Sequence, residues 1–125
     1  MMDNLTVDIR WLLDVQEDAL SDLSVRDFSA LQAAVARHRV NTPQLGVKAD
    51  AAWRAAALLH TIVLLNPLPA RNPLYACAVA TYYMTAAGEG MDPPYGGLVD
   101  LVREIITGKT DVFGTADRLR AWRIA

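Results

Sequence analysis

The chain has 125 residues, 53% of them hydrophobic and 21% charged, with 12 basic against 14 acidic side chains and a formal net charge of -2. A single domain of this size buries roughly two thirds of its unfolded-chain surface, so neither disulfides nor a metal is required for a core, and the one cysteine, Cys77, agrees. A near-neutral balance without a basic tail supplies no field to collect phosphate backbones, which excludes nucleic-acid binding as a main task.

Hydrophobic periodicity is helical almost throughout, and no stretch alternates strictly enough for a long strand, so the class is all-α. Thr6 is the expected N-cap of a first helix, Val7 to about Leu20, with Ile9, Leu12, Leu13 and Leu20 inward. A second helix starts between Ser24 and Asp27, packs Phe28, Leu31 and Val35, and ends at the cluster Arg37-His38-Arg39. Val40 to Lys48 contains Asn41-Thr42-Pro43 and Gly46 and reads as a mobile loop or a short two-stranded flap. The third helix, Asp50 to about Leu65, is apolar nearly all round, which places it at the centre of a bundle.

Asn66-Pro67-Leu68-Pro69-Ala70-Arg71-Asn72-Pro73 follows, and its three prolines forbid a continuous helix and fix an extended connector. Asn72 as cap and Pro73 in the first turn start a fourth helix that stops at Gly88-Glu89-Gly90. After the turn Asp92 to Gly97, residues Leu98, Leu101, Val102, Ile105 and Ile106 define a fifth, amphipathic helix ending at Gly108. A short sixth helix spans about Thr115 to Trp122. The expectation is one domain over residues 1–125, a compact bundle of about six helices.

The opening Met-Met-Asp-Asn-Leu-Thr has neither a positive n-region nor an apolar run leading to a cleavage site, so a cytoplasmic location is expected. Ala55 to Leu65 and Leu74 to Ala87 fall short of the roughly 20 apolar residues that span a bilayer, so no membrane role is expected. Twenty alanines, and ten arginines against two lysines, suit a GC-rich bacterial genome.

The run Ala-Ala-Ala-Leu-Leu-His-Thr-Ile-Val-Leu-Leu-Asn-Pro-Leu-Pro, residues 55 to 69, resembles the helix and loop of Fic/Doc proteins, in particular the death-on-curing (Doc) toxin branch. In that family the loop reads His-x-Phe/Leu-x-Asp-Gly/Ala-Asn-Lys-Arg and runs straight into a core helix, the layout of Asn66 to Leu74 here. The C-terminal run Leu98-Val99-Asp100-Leu101-Val102 to Gly108, with Asp111-Val112 and Arg118-Leu119-Arg120, also looks like the ending of Doc-like chains. The resemblance implies a Fic/Doc-like all-α bundle whose loop binds nucleotide phosphates and Mg²⁺ and whose members transfer AMP or phosphate to a protein hydroxyl.

Matched position by position, the chemistry is missing. The general-base histidine is Asn66, which has no titratable nitrogen, so a factor of about 10²–10⁴ in rate is lost. Leu68 holds the motif's apolar position. The metal-binding aspartate is Ala70, which offers Mg²⁺ no oxygen. The glycine is Arg71, whose side chain stands where bare backbone would approach a phosphate. Asn72 is retained, but the lysine is Pro73 and the arginine is Leu74, which removes an ammonium, a helix-start N–H and a bidentate phosphate contact. No catalytic residue, metal or cofactor is therefore expected.

The resulting expectation is a catalytically degenerate Fic/Doc-like protein, a pseudoenzyme that acts by binding protein within a toxin–antitoxin-like or regulatory module. The partner is an antitoxin-like peptide or a sister Fic chain, or a second copy in a homodimer. In the resembled family the segment after the basic cluster is a flap that can hold an extended peptide. Arg37, His38, Arg39, Val40 and Val47 are thus the candidate partner-binding residues. The alternative is a Doc-like toxin that still transfers phosphate or AMP from ATP with Mg²⁺, using Arg71 and Asn72. On simpler grounds, Asn66 bonds the connector's own backbone and Arg71 is solvated or pairs with an aspartate such as Asp50. His60 is a hydrogen-bonded packing residue and Cys77 a small core hydrophobe. Trp11, Trp53 and Trp122 are core or rim residues, and an exposed one would favour an interface.

Overall fold

The computed structural model describes residues 5–125; the opening Met1 to Asn4 lies outside the described residues. Among the described residues six helices form an all-α bundle: α1 (Ile9–Leu20), α2 (Phe28–His38), α3 (Ala51–Leu65), α4 (Asn72–Ala86), α5 (Gly97–Ile106) and α6 (Val112–Trp122). One continuous apolar core draws on all six. Among the described residues, no helix is long and apolar enough to cross a membrane.

The all-round apolarity of α3 has the expected consequence: 13 of its 15 residues are buried. It packs against α2, α4, α5 and α6, while α1 lies across α4 and α2. The alanines of α3 and α4 let these two central helices approach closely, and two tyrosines of α4 tie α1 and its leading segment to them. Tyr75 Oη donates to the Leu12 carbonyl at 2.8 Å and Tyr83 Oη to the Leu5 carbonyl at 2.6 Å.

Four helices start on an aspartate whose side chain accepts from a backbone N–H of the first turn: Asp8, Asp27, Asp50 and Asp111. This moves two expected starts. Asp8 rather than Thr6 caps α1, because its carboxylate reaches the Trp11 N–H at 2.9 Å. Asp111 starts α6 three residues before Thr115 by holding the Gly114 N–H at 2.8 Å.

Two inward-facing assignments also change. Phe28 and Ile106 are 55% and 61% exposed, since each sits at a helix end where the apolar stripe has run past the neighbouring helix. The expected flap is a tight turn held by one isolated bridge between Gln44 and Val47, without regular strands.

Asp50 does two jobs, accepting from the Trp53 N–H and from Arg120 of α6 at 2.8 and 3.0 Å. Burial pushes its carboxyl pKa up, but the Arg120 guanidinium and the capping N–H outweigh this and hold it below the ordinary value. Asp50→Ala should cost about 1–2 kcal/mol in chemical denaturation, and Asp50→Asn, which keeps the cap and removes the ion pair, under about 1 kcal/mol. Equal costs would show that the cap contributes nothing.

Candidate functional site

The connector between α3 and α4 is an elbow bracketed by two residues in the left-handed region, Asn66 at φ 49° and Arg71 at φ 61°. Asparagine tolerates this conformation as a helix C-cap; arginine adopts it at some steric cost. Arg71 is compensated by its own side chain, which donates to the Leu20 carbonyl at 3.2 Å and pairs with Asp22 at 3.8 Å. The expected pairing with an aspartate does form, with Asp22 in the place of Asp50. Asp50 starts α3 and Arg71 follows its far end, so the length of the helix separates them.

Several other polar groups of the elbow are met by the chain itself. The Pro67 carbonyl accepts from the N–H groups of Arg26 and Asp27 at 2.8 and 3.0 Å, and the Asn66 carbonyl accepts from the Arg26 guanidinium at 2.5 Å. Asn72 is the first residue of α4 rather than its cap. Its buried amide turns back, accepting from the Leu68 N–H at 2.9 Å and donating to the Leu68 carbonyl at 3.0 Å. Leu68 is buried, and Pro73 removes one of the N–H groups with which a helix start receives anions. Ala70 is exposed and carries no ligand atom.

The elbow is instead surrounded by apolar surface that sequence periodicity did not reveal. Leu64 and Leu65 precede it, Leu74 follows it, and Leu23 and Phe28 flank the segment hydrogen-bonded to it; all five are between 44% and 55% exposed. Each lies in the first or last turn of a helix or in a loop, where the helical repeat no longer reports which side faces the core.

The second candidate region is the end of α2 and the flap. Arg37, His38 and Arg39 do not share a surface. Arg37 NH1 donates to His60 Nδ1 at 3.0 Å and lies 3.3 Å from Thr61 Oγ1. His38 is wholly buried, which takes it out of any partner surface: Nε2 accepts from the Val7 N–H at 2.9 Å and Nδ1–H donates to the Val35 carbonyl at 2.5 Å. Arg39 donates to the Val7 carbonyl at 3.0 Å. Val40 and Val47 are exposed at 42% and 47%, and Leu45 at the turn tip is fully exposed.

The residue that organises this region is Arg54, which the apolar reading of α3 passed over. It is 1% exposed and donates to the carbonyls of His38 and Val40 at 2.7 and 3.3 Å and to Asn41 Oδ1 at 3.0 Å. A single arginine in an otherwise apolar helix was the available signal, since a buried guanidinium needs several acceptors and a nearby helix C-terminus supplies them.

Flap and elbow thus sit at opposite ends of α3, about 22 Å apart along a 15-residue helix. The structure does not bring the two candidate sites together. His60 is buried and hydrogen-bonded, as expected, and burial pushes the half-buried Cys77 thiol up to about 11, which leaves it unreactive near neutrality. Trp53 is buried, and Trp11 and Trp122 are partly buried against the core. Among the described residues, no three His, Cys, Asp or Glu side chains converge as a metal would require.

Fold and elbow define the class: an all-α bundle whose connector between the two central helices is hydrogen-bonded to the N-terminal half of the chain and to itself. No known family model matches the chain, and no curated protein matches it significantly.

Proposed function

We propose that this protein is a catalytically degenerate Fic/Doc-like scaffold that acts by binding protein, within a toxin–antitoxin-like or regulatory module. The observation that carries the reading is Arg71. It stands at the position matching the family's loop glycine and adopts the left-handed φ of 61° that glycine takes without strain, while its guanidinium is turned onto Leu20 and Asp22. The groups that would hold phosphate or Mg²⁺ in the resembled loop are replaced here or, as with Asn72, engaged by the chain.

What the protein offers instead is contact surface. Val40, Leu45 and Val47 present an apolar flap edge, and Leu23, Phe28, Leu64, Leu65 and Leu74 surround the elbow. The partner in this reading is an antitoxin-like peptide or a sister Fic chain in the cytoplasm.

Titration with Mg·ATP in a calorimeter should give no binding heat, and labelled ATP should leave no label on protein. Restoring Asn66→His, Ala70→Asp, Arg71→Gly, Pro73→Lys and Leu74→Arg together should recover binding of a phosphate ligand. Label transfer by the unaltered protein, lost in Arg71→Ala, would instead establish the alternative, a transferase of altered type. Association with a sister chain or short peptide from the native host, weakened at least tenfold by Val47→Glu, supports the binding role.

A further inference from the structure

Arginine can only donate, so the 3.0 Å contact from Arg37 requires the lone pair of His60 Nδ1, and the imidazole must be neutral with its proton on Nε2. The same logic holds one residue along α2. A backbone N–H can only donate, so the Val7 contact requires the lone pair of His38 Nε2, while Nδ1–H is used on Val35. Adjacent residues at the end of α2 therefore each depend on a hydrogen bond that only an uncharged imidazole can make.

The His38 bond holds one segment directly, and the Arg37–His60 bond fixes to α3 the end of α2 from which a second segment leaves. Residues 5 to 7 lie against the bundle through Tyr83 Oη on the Leu5 carbonyl, His38 on the Val7 N–H and Arg39 on the Val7 carbonyl, with the Val7 side chain buried. The root of the flap hangs from α2 and from Arg54, which binds the His38 and Val40 carbonyls. The charged and titratable groups facing His38 are Arg39, Arg54 of α3 and Tyr83 of α4; those facing His60 are Arg37 of α2 and Asp111 at the start of α6. Asp111 favours an imidazolium at His60, and the Val35 and Ala34 carbonyls favour one at His38, but burial and the arginines outweigh them.

We infer that His38 and His60 form a paired acid-operated latch whose protonation releases the segment around Val7 and loosens the flap root together. Protonating His38 Nε2 replaces an acceptor with a donor facing the Val7 N–H, and protonating His60 Nδ1 sets a second cation 3.0 Å from the Arg37 guanidinium. Burial first, and then the neighbouring arginines, push both imidazoles below their ordinary 6.5. The folded state therefore binds fewer protons than the unfolded one, so the stabilisation is complete above about pH 6.5 and is lost as pH falls through the folded values. This inference does not depend on the proposed function.

The test is native-state hydrogen exchange at pH 7.5 and pH 5.0, expressed as protection factors, on the wild type and on His38→Gln with His60→Asn. Gln places an amide oxygen near Nε2 and Asn one near Nδ1, so both acceptors are kept without a titrating group. Protection of the Val7 and Ala49 amides should fall at least tenfold at pH 5.0 in the wild type, with α5 amides unchanged, and should not fall in the double variant. Unchanged wild-type protection, or the same loss in the double variant, would overturn the latch. If the double variant does not fold, an NMR titration of the wild-type imidazoles decides: midpoints at or above 6.5 overturn the inference, and midpoints well below it with loss of the Val7 bond support it.

Discussion

Arg54→Met should lower stability by about 3–5 kcal/mol, because it leaves the buried carbonyl of His38 and the part-buried Val40 carbonyl and Asn41 amide oxygen without their shared donor. For a chain of this size that is a fall in Tm on the order of 10–20 °C. Methionine preserves the buried volume of the side-chain stem, so the loss reports the guanidinium and not a cavity. Arg54→Lys should recover only part of it, since one ammonium cannot present the planar fork that reaches three acceptors. The damage should be local as well as global, with Ala49, whose N–H is bonded to the Asn41 carbonyl at 2.8 Å, exchanging faster than the α4 core. A loss below about 1 kcal/mol would show that water satisfies these acceptors and that the flap root is not held from α3.

Asn72→Ala should cost about 2–4 kcal/mol, as it strands both the N–H and the carbonyl of the buried Leu68. The two bonds form a closed ring that fixes the elbow between its left-handed ends, so their loss also frees the connector. Asn72→Asp should not rescue: its carboxylate can still accept from the Leu68 N–H but faces the Leu68 carbonyl with no donor. Urea denaturation measures both variants. If Asn72→Ala and Asn72→Asp both melt with the wild type, the elbow is held by its prolines alone.

Asn72 shows how the two levels of description diverge. A residue before Pro73 at the head of an apolar run is read locally as a helix cap, because capping is a matter of neighbours within three residues. In the folded chain its amide pairs with Leu68 instead, and Arg71 takes the preceding position at φ 61°. The same contrast separates Phe28, placed inward by its spacing and found 55% exposed, from Leu31 and Val35, which share that spacing and are buried. Periodicity reports a face; where the face stops depends on the length of the helix packed against it.

The elbow could be located from the sequence, since three prolines in eight residues permit little else. The partners of its polar groups could not be located in the same way: the bonds to Arg26, Asp27, Leu20 and Asp22 reach 40 or more positions back along the chain. The basic cluster at the end of α2 misled for a related reason. Arg37 reaches α3, while the buried His38 and the exposed Arg39 bond the two sides of the Val7 peptide backbone, so the three never form one surface.

Hydrophobic spacing and proline positions are short-range properties, and they alone determined the all-α class, the number of helices and the central place of the helix from Ala51 to Leu65. Tertiary structure decided which polar groups are consumed: the buried Arg54, the two neutral imidazoles, the turned-back Asn72 and the separation of flap from elbow. Hydrogen-bond partners distant in sequence leave no periodic trace in it, and a buried donor or acceptor acquires its role only when the chain closes around it.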